Sequence, residues 1–242
     1  MGDPVNDSVE ARELLYEGKA MKLFATADPD RLLQFFKDDA TAFNAKKRGT
    51  IVDKGILNNA ISEVFFRLLD EAGVPTHFVR RLDDRRMLVK RLEIVPIEMV
   101  VRNIIAGGLA KRLGLEEGRV LPEPIVEFFY KSDPLDDPMI NEWHALVLGM
   151  ATKPELDRMV ELTLRVNAVL RPFLAERGIT LVDMKLEFGR YHGEILLGDE
   201  ICPDTCRFWD SSSGEKMDKD RFRRDLGRVE EAYQEIARRV GA

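Results

Sequence analysis

A stretch of alternating apolar and charged residues, Leu181 to Phe188, carries the side chains best suited to chemistry in this 242-residue chain. Such alternation is typical of a β-strand, in which successive side chains point to opposite faces. Asp183, Lys185 and Glu187 would then share one face, with an acid, a base and a second acid in a row. On the pattern alone, a solvated strand face with cross-strand ion pairs is the more common explanation.

A further acidic residue is predicted to lie beside this strand. The short segment Gly189 to Gly193 and the apolar run Glu194 to Leu197 predict a hairpin, which would bring Asp199 alongside Glu187. Mg²⁺ prefers oxygen ligands and is usually held by one or two carboxylates together with substrate phosphates. Glu187 and Asp199 therefore suit a site for a metal and a nucleotide.

Lys19 and Lys22 belong to a glycine-containing turn between two short apolar segments. The turn, Glu17 to Lys22, offers flexible backbone and two ammonium groups that could reach nucleotide phosphates. It matches neither a Walker A loop nor the G-x-G-x-x-G pattern. A polar hairpin tip without any ligand is the common alternative, because such turns occur on many protein surfaces.

Two arginines stand where anions could bind. Arg102 ends an apolar strand before the flexible turn Ala106 to Gly108, a setting suited to bidentate binding of a carboxylate or phosphate. Asp204 and Arg207 form a charged pair in a segment predicted to be an irregular loop, where binding residues tend to lie. A structural ion pair is the alternative for Arg102.

Composition narrows the class of protein. A net charge of −6 disfavours a nucleic-acid partner, because binding a phosphate backbone needs a dense basic surface. Cys202 and Cys206 are too few for a disulfide framework and have no second Cys or His pair nearby to complete a zinc site. Without an 18-residue apolar run or a signal-like N-terminus, the chain is expected to be cytoplasmic and to bind no membrane.

The remaining charged residues carry no assigned role. The three histidines have no spacing that suggests a triad or a metal site. The basic residues from Lys219 to Arg228 are expected to form a solvated helix face, although one of them could reach a substrate.

The apolar periodicity predicts strands and helices in an α+β architecture. Strands are expected at Leu14 to Phe24 (as a hairpin), Leu32 to Phe36, Thr76 to Arg81, Met87 to Leu92 and Glu98 to Ile104. Helices are expected over Leu57 to Leu69, Leu156 to Phe173 and Phe222 to Val240. The segment Leu121 to Pro138, with four prolines, is predicted to be loop, and a domain junction is expected near residues 92 to 96.

Several short motifs share their order and spacing with one known family. They are Tyr16-Glu17-Gly18-Lys19-Ala20-Met21-Lys22, Asp39-Ala40-Thr41-Ala42-Phe43-Asn44, Lys54-Gly55, Val95-Pro96-Ile97-Glu98 with Val100-Val101-Arg102-Asn103, Asp183-Met184-Lys185-Leu186-Glu187-Phe188-Gly189, and Gly198-Asp199-Glu200 with Pro203-Asp204-Thr205-Cys206-Arg207. Each motif is modest, but their order is specific. Through them the chain resembles the SAICAR synthetase family from Leu14 to the terminal helix.

The resemblance implies a two-lobed α+β fold. Residues 1–92 would form an N-terminal antiparallel sheet lobe with one helix, similar to the small lobe of a protein kinase. Residues 93–242 would form a larger α+β lobe, and ATP would bind in an ATP-grasp-like cleft between the two. The resemblance also implies a homodimer.

The resemblance further implies ATP and Mg²⁺ as cofactors and assigns residues to each ligand. The residues implied to bind the nucleotide and its metal are Lys19, Lys22, Arg91, Glu93, Lys131, Glu187 and Asp199, with Glu187 and Asp199 as the metal ligands and the Arg91 to Ile94 linker offering backbone groups to adenine. Those implied to hold the imidazole ribonucleotide are Asn44, Arg102, Gly107, Gly108, Asp204 and Arg207.

Lys185, Asp183 and Arg207 are the predicted catalytic residues. The strand alternation supports the hypothesis that Lys185 stabilises charge between the substrate carboxylate and the γ-phosphate, with Asp183 orienting it.

Two residues depart from the family pattern. Asn44 stands where many members carry aspartate, and Gly108 stands where the usual Gly-Ser turn has serine. These changes remove a charge and a hydroxyl near the predicted ribonucleotide site.

The implied reaction, a step of purine biosynthesis, joins L-aspartate to carboxyaminoimidazole ribonucleotide (CAIR) with ATP and gives the succinocarboxamide SAICAR, ADP and phosphate. An acyl phosphate is expected, because phosphorylation gives an unreactive carboxylate a leaving group that the amine can displace. A small-molecule kinase and a non-catalytic nucleotide sensor are the alternatives. The chain lacks the H-R-D and D-F-G motifs of protein kinases.

Overall fold

The computed structural model describes residues 9–42 and 47–242, which form an α+β fold, as predicted, and this fold contains two main antiparallel sheets. In spatial order the first sheet contains β1 (Leu14–Glu17), β2 (Met21–Ala25), β3 (Arg31–Phe36), β7 (Arg86–Lys90) and β6 (Phe78–Arg81). A separate hairpin pairs β4 (Asp39–Ala42) with β5 (Lys47–Thr50).

The second sheet is larger. In spatial order it contains β10 (Met139–Ile140), β9 (Val120–Tyr130), β8 (Glu93–Ile104), β11 (Ile179–Tyr191) and β12 (Glu194–Leu197), and β13 (Cys206–Asp210) also pairs with β11. The long strands β8 and β11 are therefore neighbours in the middle of this sheet.

Helices cover the sheets and connect them. They are α1 (Lys54–Glu71), α2 (Gly107–Leu113), α3 (Glu142–Val147), α4 (Lys153–Ala175), α5 (Asp220–Arg223) and α6 (Val229–Val240). The two long helices match the predicted ones. Leu156, Met159 and Leu162 on α4 and Ile61 and Phe65 on α1 are at most 1% exposed. Burying each such side chain contributes about 1.5–3 kcal/mol, so these stripes fix both helices on the core.

The predicted hairpin after Phe188 is present, with a shorter turn than the sequence indicated. Strand β11 continues to Tyr191 and pairs with Glu194 of β12, so the turn consists only of His192 and Gly193. Both turn residues have positive φ, 50° and 86°, as the common two-residue hairpin turn requires. The hairpin returns the chain to the segment that carries Asp199.

The prediction of loop across Leu121 to Pro138 was wrong, because most of this segment belongs to strand β9. The ladder between β8 and β9 passes from the pair Arg102–Ile125 to the pair Ile104–Val120, so four residues of β9 lie opposite one of β8. Pro122 and Pro124 lie within this bulge, where a missing N–H breaks no regular ladder bond.

The prediction of one terminal helix from Phe222 to Val240 was wrong in its first part. Asp225, Gly227 and Arg228 have φ of 54°, 68° and 50°, a left-handed conformation that a right-handed helix cannot contain. The chain therefore forms the short helix α5, a turn containing Leu226, and then α6. This break sets the direction of α5 independently of α6.

The two sheets meet where the chain passes between them. The first sheet ends at Lys90 and the second begins at Glu93, and Thr76 forms an isolated parallel bridge with Leu197. His77 N–H donates to the carbonyl of Leu197 at 2.8 Å. No helix within residues 9–42 and 47–242 has the length and apolar character needed to cross a bilayer.

Candidate active site

A cleft of about 1000 Å³ lies between the two sheets and is lined by residues of both. The first sheet and the adjoining linker contribute a mainly apolar wall, which contains Met21, Leu23, Leu32, Val89, Leu92 and Ile94. The second sheet and the segments after it contribute a charged wall, which contains Glu98, Arg102, Asp183, Lys185, Glu187, Asp199, Asp204, Arg207, Lys219 and Arg223. An apolar wall facing a charged one suits a ligand with a flat ring and anionic groups.

Strand β11 supplies the central row of the charged wall. Val182, Met184 and Phe188 are fully buried in the core, so the residues between them point to the opposite face. Asp183, Lys185 and Glu187 do line the cleft, as the alternation predicts.

Lys185 lies between three carboxylates. Its Nζ donates to Glu187 at 2.5 Å, to Asp199 at 3.2 Å and to Glu98 at 3.2 Å. Burial alone would lower the pKa of Lys185, but these carboxylates outweigh it and raise the pKa well above its usual value. Lys185 therefore keeps its positive charge.

Asp183 was predicted to orient Lys185. Its carboxylate is bonded to Arg102 and Arg207 instead. Lys185 is oriented by Glu98, which comes from the neighbouring strand β8.

Glu187 and Asp199 form the pair of carboxylates expected from the sequence. Lys131 also donates to Glu187 at 2.8 Å, and Lys185 and Lys131 together outweigh burial and lower the pKa of Glu187 to about 2. Burial and the neighbouring Glu187 raise the pKa of Asp199. Two buried carboxylates so close together favour a shared cation.

The backbone conformation holds Glu187 and Asp199 in position. Gly198 N–H donates to the carbonyl of Glu187 at 2.9 Å, and Asp199 follows with φ of 59°, a conformation uncommon outside glycine. Residues 9–42 and 47–242 contain no cluster of three His, Cys, Asp or Glu side chains able to hold a metal by themselves. A divalent cation here would take two carboxylates and complete its shell with phosphate or water, which is the usual pattern for Mg²⁺.

Arg102 and Arg207 form a second ionic cluster around Asp183. Arg102 binds Asp183 and Glu127, both at 2.7 Å, while Arg207 binds Asp183 at 2.8 Å and Asp220 at 2.9 Å. Asp183 is shared, so the structure brings these two predicted anion-binding residues together. The pKa of Arg207 is raised because its carboxylate partners outweigh the effect of burial.

Gly107 lies next to this cluster, and its lack of a side chain leaves room for Arg207. A Cβ at Gly107 would meet the Arg207 guanidinium at 2.5 Å, and the residue has φ of 52°. Gly108 is the second residue of α2, where an added Cβ would meet Arg112 at 3.1 Å. Neither glycine is among the residues that line the cleft. Asn44 lies outside the described residues.

Asp204 lines the cleft but is already bonded on both oxygens. One oxygen accepts from Lys54 at 2.6 Å and the other from the Tyr233 hydroxyl at 2.7 Å. Burial would raise the pKa of Asp204, but Lys219 and Lys54 outweigh it and lower the pKa. Asp204 therefore joins α1, the loop before β13 and α6 in one buried cluster.

Of the two lysines around the β1–β2 turn, only Lys19 lines the cleft. It binds Asp133, from the opposite side of the cleft, at 2.7 Å. Lys22 lies on the other face of β2 and pairs with Glu17 at 3.3 Å. The strand period separates them, because Met21 and Leu23 take the inward positions.

The linker between the sheets shows the same alternation. Leu92 and Ile94 line the cleft, whereas Arg91 and Glu93 do not. The Arg91 N–H donates to the carbonyl of Asp30, and the Glu93 carboxylate binds Arg190 at 3.0 Å. Any contribution of Arg91 and Glu93 to a ligand would come from their remaining backbone groups.

Several cleft residues had no role predicted from the sequence. They are Gln34, His77, Lys90, Glu98, Lys219 and Arg223. The sequence feature that could have indicated a role for Glu98 is its place in a family motif. For Lys219 and Arg223 it is their spacing of four residues, which places both on one helix face. His77 is 4% exposed, and burial lowers its pKa to about 3.

Comparison with known proteins gives a consistent result. A sequence profile described as SAICAR synthetase matches residues 14–240. A phosphoribosylaminoimidazole-succinocarboxamide synthase from Prosthecochloris aestuarii is 60% identical over 227 residues, which are 94% of this chain and 97% of the relative. The crystal structure of such a synthase from Ehrlichia chaffeensis has a TM-score of 0.93 and 46% identity, over 95% of this chain and 99% of that one. A SAICAR synthetase in complex with ADP has a TM-score of 0.91 and 51% identity, over 94% and 97%.

Proposed function

The chain belongs to the SAICAR synthetase family, and we propose that the cleft between its two sheets is where it performs the ATP-dependent ligation of L-aspartate to CAIR, giving SAICAR, ADP and phosphate. The observation that carries this proposal is the arrangement of charge along one wall. Lys185 with its three carboxylates lies on the same strand face as Asp183, which joins Arg102 and Arg207. One cleft can therefore hold a metal–nucleotide complex and an anionic substrate side by side.

The nucleotide is assigned to the end of the cleft near the β1–β2 turn. Lys19 and Lys131 offer ammonium groups there, and the apolar side chains of Leu92 and Ile94 offer a surface for a flat base. Both lysines now bind carboxylates, and nucleotide phosphates would replace Asp133 as the partner of Lys19. Lys22, Arg91 and Glu93 stay predictions for this site, with Arg91 and Glu93 acting through backbone groups.

Glu187 and Asp199 are the proposed Mg²⁺ ligands. Their oxygens are hard donors, they lie close together, and the pKa of Asp199 is raised beside Glu187, so a cation between them would relieve repulsion. When bound, Mg²⁺ would neutralise charge on the transferring phosphoryl group.

Lys185 is the proposed catalytic residue for phosphoryl transfer. Its ammonium stays charged and is held from three sides, so it needs no reorganisation to stabilise negative charge developing between the CAIR carboxylate and the γ-phosphate. Transfer gives an acyl phosphate. The aspartate amine then forms the new C–N bond as the C–O bond to phosphate breaks and the amine loses a proton to solvent.

Arg102 and Arg207 are proposed to hold the ribonucleotide. Both are locked by Asp183, so their remaining N–H groups point in fixed directions and bind an anion with little loss of side-chain entropy. Asp204, Gly107, Gly108 and Asn44 remain predictions for the same ligand, Gly107 through the space that it leaves for Arg207.

A cytoplasmic location and a homodimer are also proposed. Cys202 and Cys206 are free and buried, which fits a compartment that keeps thiols reduced. Family resemblance supports the dimer, and light scattering on the purified protein would measure it.

The deciding experiment measures ADP release with ATP, Mg²⁺ and CAIR, with and without L-aspartate, and identifies the products by mass. Aspartate-dependent ADP release with the SAICAR mass is the expected result. Equal ADP release without aspartate would instead indicate a kinase, and nucleotide binding without turnover would indicate a sensor.

A further inference from the structure

A row of alternating acidic and basic side chains crosses the second sheet at the level of Asp183. Arg102 on β8 lies opposite Asp183 on β11, and Asp183 lies opposite Arg207 on β13. Glu127 on β9 continues the row beyond Arg102, because it points to the same face as Ile125, the ladder partner of Arg102. The row therefore passes through four neighbouring strands.

In each arginine of this row, carboxylates bind two of the three guanidinium nitrogens. Arg102 donates from Nε to Glu127 and from Nη1 to Asp183, both at 2.7 Å. Arg207 donates from Nε to Asp220 at 2.9 Å and from Nη1 to Asp183 at 2.8 Å. Within residues 9–42 and 47–242 neither Nη2 has a hydrogen-bond partner. Because both arginines line the cleft, Nη2 is the nitrogen of each that remains for an anion there.

Glu127 is buried and is bound on both oxygens. Its side chain is 4% exposed, one oxygen accepts from Arg102, and the other accepts from Arg112 of α2. Arg112 is 34% exposed and lies over the ring of Phe129 at 5.5 Å, so it binds Glu127 from the more exposed side. A carboxylate between two guanidinium groups keeps its orientation, since rotation would break a buried hydrogen bond between charged groups.

Glu127 lies behind the cleft wall and does not line the cleft itself. It acts on the wall through Arg102. A guanidinium held by one carboxylate can still turn about that contact, whereas a second carboxylate on another nitrogen fixes the plane of the group. Asp183 and Glu127 together therefore determine where Nη2 of Arg102 points, and an anion binds there with little further loss of side-chain entropy.

We propose that Glu127 is a positioning residue for the ligation reaction: it holds Nε of Arg102, so that Nη2 is directed at an anionic group of the ribonucleotide. This inference rests on the proposed function and adds to it a residue that touches no substrate. Arg112 has a weaker part in the same arrangement, because it binds the other oxygen of Glu127.

The first test measures CAIR binding without turnover, by calorimetry, for the full chain and for Glu127→Gln, which removes the charge and keeps the shape. The affinity for CAIR should fall about 10-fold, while kcat and the KM for ATP and L-aspartate stay within about twofold. Glu123→Gln, the same change at an exposed position of β9, is the matched control and should change none of these values. Unchanged CAIR affinity in Glu127→Gln would overturn the proposal.

The second test separates positioning from a purely structural role by combining Glu127→Gln with Arg102→Lys. A lysine ends in one ammonium and has no Nη2 to direct, so Glu127→Gln should change CAIR affinity by no more than about twofold in this background. Where binding is too weak for calorimetry, the KM for CAIR replaces it. An equal loss of affinity with arginine or lysine at position 102 would show that Glu127 supports only the fold.

Thermal unfolding shows whether Glu127→Gln folds. If it does not, Glu127→Asp takes its place in both backgrounds, because the shorter side chain keeps its charge but cannot reach Arg102 and Arg112 together. The same loss with arginine at position 102, and none with lysine, is then expected.

A failure of the proposed function gives a different result. The unmodified protein would then form no SAICAR from ATP, CAIR and L-aspartate, and the inference would fall together with the function. An unmodified protein that forms SAICAR, beside a Glu127→Gln variant with unchanged CAIR affinity, would overturn the inference alone.

Discussion

The two ionic clusters of the cleft are built in opposite ways. Around Lys185, one cation is shared by the carboxylates of Glu98, Glu187 and Asp199. Around Asp183, one carboxylate is shared by the guanidinium groups of Arg102 and Arg207. The first cluster offers carboxylate oxygens, which are ligands for a metal ion, whereas the second offers guanidinium N–H groups, which donate to an anion. Two residues apart on one strand, Asp183 and Lys185 thus polarise the cleft and orient its ligands.

Replacing the central cation of the first cluster should have the largest effect. Lys185→Met leaves three carboxylates without their common partner and removes the charge that would stabilise phosphoryl transfer, so we expect kcat to fall about 100- to 1000-fold. Steady-state ADP release measures it. Lys153→Met, which breaks an exposed pair on α4, is the control. Turnover of Lys185→Met near that of the unmodified protein would remove Lys185 from catalysis.

Replacing the central anion of the second cluster should affect substrate binding and stability together. Asp183→Asn weakens the hold on Arg102 and Arg207, and we expect kcat/KM for CAIR to fall about 10- to 100-fold and the free energy of unfolding to fall by about 3 kcal/mol. Urea unfolding measures the second quantity. Asp157→Asn on the surface of α4 should change neither. An unchanged kcat/KM for CAIR would contradict the assignment of the arginine cluster to the ribonucleotide.

A smaller change tests the position of one arginine. Gly107→Ala would put a methyl group 2.5 Å from the Arg207 guanidinium, so we expect the KM for CAIR to rise about 10-fold. Gly114→Ala is the matched control, because Gly114 has φ of 63° with nothing within 4 Å of the added carbon. Both variants should lose about 1–2 kcal/mol of stability from the left-handed backbone, but only the first should change the KM. Equal kinetics for the two variants would show that Arg207 needs no such space.

The last prediction concerns His77, a buried residue of the mainly apolar wall. Burial lowers the pKa of His77 to about 3, below the value of about 6.5 for an unfolded chain. The unfolded state therefore binds a proton that the folded state does not, and stability that is present above pH 6.5 is lost as the pH falls towards 3.

In the range from pH 6 to 4 this loss should be about 1.4 kcal/mol per pH unit, and His77→Gln should remove it. Urea unfolding at several pH values measures the slope. His192→Gln, at an exposed histidine, should keep the slope of the unmodified protein. A slope that His77→Gln does not reduce would mean that His77 is protonated in the fold.

The predictable part of the site was local in sequence. The period of two in β11 determines which residues face the cleft, and the hairpin after Phe188 follows from turn residues and apolar runs. One partner of Lys185 could not be predicted in this way, because Glu98 lies 87 residues earlier and meets Lys185 through the pairing of β8 with β11. Sequence periodicity contains no information about which strands become neighbours.

The predictions of a loop at Leu121 to Pro138 and of one terminal helix were also wrong because apolar periodicity does not show the contacts or the backbone conformation of a segment. Proline is disfavoured inside regular ladders, and only the bulge opposite β8 makes Pro122 and Pro124 acceptable in β9. The apolar spacing from Phe222 onwards suits a helix, yet Asp225 and Arg228 adopt left-handed backbone and break it. That break also hid the cleft-facing pair Lys219 and Arg223 within what the sequence indicated was a solvated face.

The buried contact of Lys54, Asp204 and Tyr233 has a consequence for how the protein is made. Lys54 and Asp204 are 150 residues apart, and Tyr233 lies a further 29 residues towards the C-terminus, on the last helix. During synthesis the N-terminal sheet can form early, but this cluster closes only after the ribosome has released nearly the whole chain. A chain that still lacks α6 therefore lacks the Tyr233 hydroxyl that bonds one oxygen of Asp204, a residue of the cleft wall.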